Sequence, residues 1–107
     1  MINLTPHAIV VRTPQGDVTL PPSGTIARVA MAEEIIGTCA ETGATVIRRV
    51  PGEVVGLPED GTPCIVSAMV LAALPSGTPN VYAPDTGATA IRNEAGHIVA
   101  VTRLVAA

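Results

Sequence analysis

The stretch that decides the fold runs from residue 7 to residue 20: His7-Ala8-Ile9-Val10-Val11-Arg12-Thr13-Pro14-Gln15-Gly16-Asp17-Val18-Thr19-Leu20. A β-branched run meets Thr13-Pro14-Gln15-Gly16, and a second apolar–polar alternation returns. Proline's fixed φ suits Pro14 to position i+1 of a type I turn, and Gly16 fits the left-handed position that follows. The predicted unit is a β-hairpin of His7–Thr13 and Asp17–Leu20. The same grammar recurs later. Arg12…Gly16-Asp17-Val18 is matched by Arg92…Gly96-His97-Ile98. A second hairpin is therefore predicted, Ala88–Arg92 with His97–Val105, around Asn93-Glu94-Ala95-Gly96.

The segments around the hairpins read in the same way. Ile2–Leu4 is a strand that stops at Pro6. Pro21-Pro22-Ser23-Gly24 is a turn, and Thr25–Ala30 a third strand. Met31–Glu41 admits two readings. Ala32-Glu33-Glu34 could open a short helix, with the acids favourable at its N-terminus, but Gly37 cuts it short; strand followed by loop is the reading adopted. Ala44–Val50 is a strand, Pro51-Gly52 a turn, and Glu53–Leu57 another short strand. Cys64–Val66 is an unbroken apolar strand, read as central. Ser67 is a suitable N-cap for a short helix, Ala68–Leu74, which Pro75-Ser76-Gly77 ends. Asn80–Ala83 is a short strand and Pro84-Asp85-Thr86-Gly87 a loop.

Composition agrees. Val, Ile and Thr make up about a third of the 107 residues, and β-branched side chains favour strands. Ten Pro and ten Gly are spread along the chain, and both interrupt helices. The expected fold is a single, mainly β domain: a small β-sandwich or partly open β-barrel of short antiparallel strands with one short helix.

Charge excludes several functions. Six arginines, no lysine and nine acids give a formal net charge of −3. Charged residues are 14% of the chain, against about 25% in an average domain. A disordered segment would carry more charge and fewer apolar residues. A binder of nucleic-acid polymers would be basic or offer aromatics for stacking, and Tyr82 is the lone aromatic. The longest apolar run, Ala68–Leu74, is too short to span a bilayer. Nothing at the N-terminus reads as a secretory signal, so the expected location is cytoplasmic. Cys39 and Cys64 form no disulfide framework and no zinc spacing. They read as two buried or half-buried thiols in a reducing compartment. No cofactor and no metal is expected.

Asp85-Thr86-Gly87 matches the Asp-Thr-Gly triplet of retroviral-type aspartic proteases. Here only twenty residues follow it, too few for the flap and substrate-binding half of such an enzyme, so it reads as a turn. His7 and His97 are the only imidazoles, with Ser67, Thr5 and the cysteines as potential nucleophiles; no spacing pairs them. Glu33-Glu34 and Glu59-Asp60 read as solvated charge. Arg48-Arg49 is different, because it interrupts an apolar strand. Neighbouring strand residues face opposite ways, so one of the two must snorkel, meet an acid, or enter an interface or pocket. A guanidinium also grips phosphate or carboxylate with paired hydrogen bonds. Arg48 and Arg49, with His7, Thr5, Asn3 and Ser67, are the candidate ligand-binding residues.

Several segments are distinctive together: Ile2-Asn3-Leu4-Thr5-Pro6-His7-Ala8-Ile9, Pro21-Pro22-Ser23-Gly24 with Ala27-Arg28-Val29, Gly52-Glu53-Val54-Val55-Gly56-Leu57-Pro58, Ile65-Val66-Ser67, and Arg92-Asn93-Glu94-Ala95-Gly96-His97-Ile98. Through them the chain resembles a family of small, mostly uncharacterised proteins of bacteriophages, prophages and some bacteria, which share the Asn-Leu-Thr-Pro-His opening. Members usually carry an aromatic at the position of Cys64 and Asp at that of Asn93. The resemblance implies a phage context, and so the host cytoplasm; it implies no particular activity. Phage proteins of this size often bind and neutralise host components, nucleotide immune signals among them. The expected function is thus a non-enzymatic, homo-oligomeric binding module for a small anionic, nucleotide-like ligand or a host protein. The alternatives are a structural or assembly accessory of a phage, and a small hydrolase using His7.

Overall fold

The computed structural model describes all residues, Met1–Ala107. At its centre lies Cys64–Ile65 (β6), flanked by Ile2–Asn3 (β1) and Val81–Pro84 (β7), with Leu104–Ala106 (β10) beyond β7. β6 pairs in parallel with both neighbours, and β7 with β10 antiparallel. Parallel neighbours need a crossover connection, and Ala68–Ala72 (α1) lies in the one between β6 and β7. Ser67 caps this helix: its hydroxyl accepts the Val70 N–H at 3.3 Å. The fold is therefore mainly β with one short helix. Its central sheet is mixed, where the reading of the sequence had antiparallel strands only, and the sheets do not close into a barrel.

The first hairpin forms as read; the second keeps only its inner rungs, since residues 88–90 are turn and Leu104 and Val105, read as part of its return strand, pair with β7 instead. Ile9–Thr13 (β2) pairs with Gly16–Leu20 (β3), Thr13 opposite Gly16. Gly16 has a φ of +120°. Arg12 and Asp17 face each other and form an ion pair at 2.9 Å. Ile91–Arg92 (β8) pairs with Ile98–Ala100 (β9). In its turn the Asn93 side chain accepts the N–H groups of Ala95 and His97, both at 3.0 Å. Backbone bonds between Arg12, Val10 and Val101 tie the two hairpins together.

The largest departure lies between them. Arg28–Thr38 (β4) and Thr45–Val55 (β5) form one long antiparallel hairpin. Met31–Thr38 is strand, as read, but Pro51-Gly52 is no turn: it lies inside β5. Proline can enter a ladder only on an edge, with its nitrogen turned away from the partner, and β5 has β4 as its sole neighbour. Gly52 stands where the pairing shifts between Val29 and Met31. A Cβ there would sit 2.8 Å from the Ala30 carbonyl oxygen, so this bulge accepts only glycine.

Thirteen residues are buried, and they gather at one end. Leu4, Cys64, Val66, Val70, Val81 and Ala83 belong to one cluster over β6, β7 and α1. Apart from Val29 and Val54, where the long hairpin joins this body, every residue of β4 and β5 is exposed. The radius of gyration is 17.0 Å, against about 13 Å for a compact chain of this length. The molecule is a small β body with a projecting two-stranded arm. No helix is long and apolar enough to cross a membrane.

Candidate functional site

The six residues singled out in the sequence fall in three separate places. Asn3, Thr5 and His7 come together where the chain leaves β1. Asn3 is 2% exposed. Its amide nitrogen donates to the carbonyls of His7 (2.8 Å) and Leu20 (2.9 Å). Its oxygen accepts the Thr5 N–H at 3.0 Å and lies 2.7 Å from the Thr5 hydroxyl. Both donors and the acceptor are thus engaged, so Asn3 holds the opening segment against the end of the first hairpin rather than facing a ligand. Thr5, also buried, completes that knot. His7 contributes its carbonyl to the knot, while its imidazole is exposed.

That imidazole stands at the rim of a groove of about 290 Å³. Ile9, Val10, Ile98, Val99 and Val101 line it, and Thr86 adds a polar group. A second groove, of about 410 Å³, runs between α1 and β10, lined by Ala68, Leu71, Leu74, Val105 and Ala107. Both are apolar, and neither includes Ser67, whose hydroxyl is used as the helix cap. No arginine lines either groove.

Arg48 and Arg49 lie on the arm. The register sets Arg48 opposite Glu34 and Arg49 opposite Glu33. Arg49 Nε is 3.8 Å from Glu33 Oε1, with both side chains more than half exposed (67% and 59%). Neighbouring rungs face opposite sides of a ribbon, so each face carries one Glu–Arg pair. The apolar strand that seemed to force an arginine inward is itself exposed, with an acid across from each guanidinium. Apolar side chains flank the pairs: Met31, Ile35, Ile36, Val46, Ile47 and Val50 are all exposed. Sequence reasoning missed this surface because alternation cannot distinguish a strand that covers a core from one that projects.

Asp85 and Asp60 have structural partners. Asp85 Oδ2 accepts Arg103 Nη2 at 2.6 Å and Nε at 3.0 Å, and Oδ1 accepts the Gly87 N–H at 3.0 Å. The Gly87 N–H, and next the Arg103 guanidinium, hold this carboxyl below its ordinary value. With both its oxygens held by the Gly87 N–H and the Arg103 guanidinium, Asp85 acts as a loop lock. Asp60 accepts from the Thr62 hydroxyl and N–H. Cys64 is buried, which pushes its thiol up. Cys39, half-buried near the arm's tip, is lowered by hydrogen bonding to the Thr42 hydroxyl and then to the Thr42 and Glu41 backbone.

Asp85 gives a pH-dependent prediction. A carboxyl lowered in the folded state stabilises the fold above its unfolded value, about 4. That contribution disappears as pH falls through the lower folded value. Wild type should therefore resist urea better than Asp85→Asn at pH 7, and the gap between their unfolding midpoints should narrow on acidification. A gap that stays constant down to pH 2 would show that the charge is not what locks the loop.

The comparisons with protein-family models, with curated proteins and with solved structures find no match for this chain.

Proposed function

We propose that the chain is a non-enzymatic binding module that acts as a homo-oligomer. The observation that supports this reading is the arm. An isolated two-stranded ribbon is marginal in water, and this one exposes large aliphatic side chains on both faces. Patches of that kind mark interaction surfaces. The body adds two shallow apolar grooves, better suited to another apolar surface than to a charged molecule. The phage context implied by the opening motif fits a small module of this type. Within this reading, Arg48 and Arg49 are the groups that would grip a small anionic, nucleotide-like ligand, which must compete there with Glu33 and Glu34. A structural or assembly accessory role is the second reading, and the arm's length favours it.

Native mass spectrometry of the purified protein tests both readings. An oligomer that retains a small anion, and loses it in Arg48→Ala/Arg49→Ala, is the expected result for a ligand-binding module. An oligomer with no retained mass, and no uptake of added mono- or dinucleotides, favours the assembly role. A chain that stays monomeric at tens of micromolar overturns the proposal.

A further inference from the structure

The arm has two open edges, since β4 and β5 have only each other as neighbours. It also has a defined regular stretch. Pairing shifts between Val29 and Met31 and again between Ile35 and Gly37. Between these irregularities lie five even rungs: Met31–Pro51, Ala32–Val50, Glu33–Arg49, Glu34–Arg48 and Ile35–Ile47. The four charges sit in the middle, both acids on β4 and both arginines on β5. An open edge offers unpaired N–H and C=O groups to another strand, and the charges determine which strand it accepts.

From this segregation of charge we infer that the arms of successive copies join head to tail, the β4 edge of one against the β5 edge of the next. This rests on the homo-oligomeric reading above and specifies its geometry. Copies placed side by side in the same orientation bring β4 antiparallel to the neighbour's β5. Glu33 then faces the neighbour's Arg49 and Glu34 its Arg48, repeating the rungs within each arm. Each acid gains a second cationic neighbour, and each arginine a second acid. The two-fold alternatives fail on the same residues. β4 against β4 centred on the charges sets Glu against Glu, and β5 against β5 sets Arg against Arg; like charges directly opposite are destabilising. Sliding either pair to avoid the clash brings ions against Ile35, Ile47 or Val50. A head-to-tail contact forms a ring if its rotation closes. Pro51, which lacks an N–H, and the bulge at Gly52 end the regular edge towards the body, so joining is confined to the outer part of the arm.

The test is a fourfold charge exchange, Glu33→Arg, Glu34→Arg, Arg48→Glu and Arg49→Glu. It preserves every rung within the arm. It also preserves head-to-tail contacts between exchanged copies, but sets like charges together wherever an exchanged copy meets a wild-type one. The two chains are unfolded together, refolded as a mixture and weighed by native mass spectrometry. Separate oligomers of each chain are expected, with mixed species below about a tenth of the random expectation. Two-fold edge pairing would instead enrich mixed species, and face-to-face stacking would give random mixing; either overturns the inference while leaving the homo-oligomeric reading intact. A monomeric wild type overturns both. If the exchanged chain fails to fold, Glu34→Cys and Arg48→Cys chains, each also carrying Cys39→Ala, are mixed and oxidised. A 34-to-48 cross-link between copies supports head-to-tail joining; 34-to-34 or 48-to-48 cross-links, or none, overturn it.

Discussion

Asn3→Ala is expected to destabilise the fold by about 2–4 kcal/mol, because it leaves one buried and two part-buried polar groups without their partner, at up to about 1–3 kcal/mol each. The Asn3 amide spans two carbonyls that belong to different parts of the chain, His7 and Leu20, and its oxygen takes the Thr5 N–H. With the side chain gone, the buried Thr5 N–H and the part-buried His7 and Leu20 carbonyls lose their partner, and alanine offers them nothing. Asn3→Asp should be no milder. The position facing the two carbonyls must donate, and a carboxylate oxygen there would meet two acceptors. Urea unfolding monitored by circular dichroism gives the comparison. An Asn3→Asp protein as stable as wild type would remove the amide from its assigned role.

Ile65→Ala should have an effect of similar or larger size. Ile65 is fully buried in the central strand, between Asn3 and Tyr82 on the flanking strands. It alternates with Cys64 and Val66, which face the main cluster. Removing a buried Ile side chain costs about 2–5 kcal/mol, the spread reflecting how far the cavity collapses. A typical domain has only about 5–15 kcal/mol in hand, and here few residues form the core. A large unfolded fraction at 37 °C is the expected result. A loss below about 1 kcal/mol would mean that the sheet closes over the gap. Neither substitution touches the arm, so both report on the stability of the body.

Local chemistry made much of this molecule legible in its sequence. Pro14 with Gly16, and Asn93 with Gly96, specify their turns through nearby backbone geometry, and Ser67 specifies a helix start in the same way. Cys64–Val66 was readable as central because an unbroken apolar run has no face left for water. Pro51-Gly52 misled, since the residues that make a turn are also those that an edge bulge tolerates. The candidate site was harder to read. Asn3 and Thr5 are polar residues in a distinctive motif, a pattern equally produced by a buried structural knot. Arg48 and Arg49 meet their acids across a pairing of strands, and no spacing along the chain states where a strand's partner lies.

The order of strands in the central sheet bears on the sequence of events during folding. β1 pairs with a strand some sixty residues away, and β10 is the last strand of the chain. Closing such distant contacts is entropically slow. The β4–β5 hairpin needs only its own neighbours in the chain. Its strands can therefore begin to pair while the ribosome is still adding the residues that complete the body, though the ribbon gains its anchor only when the last strand arrives.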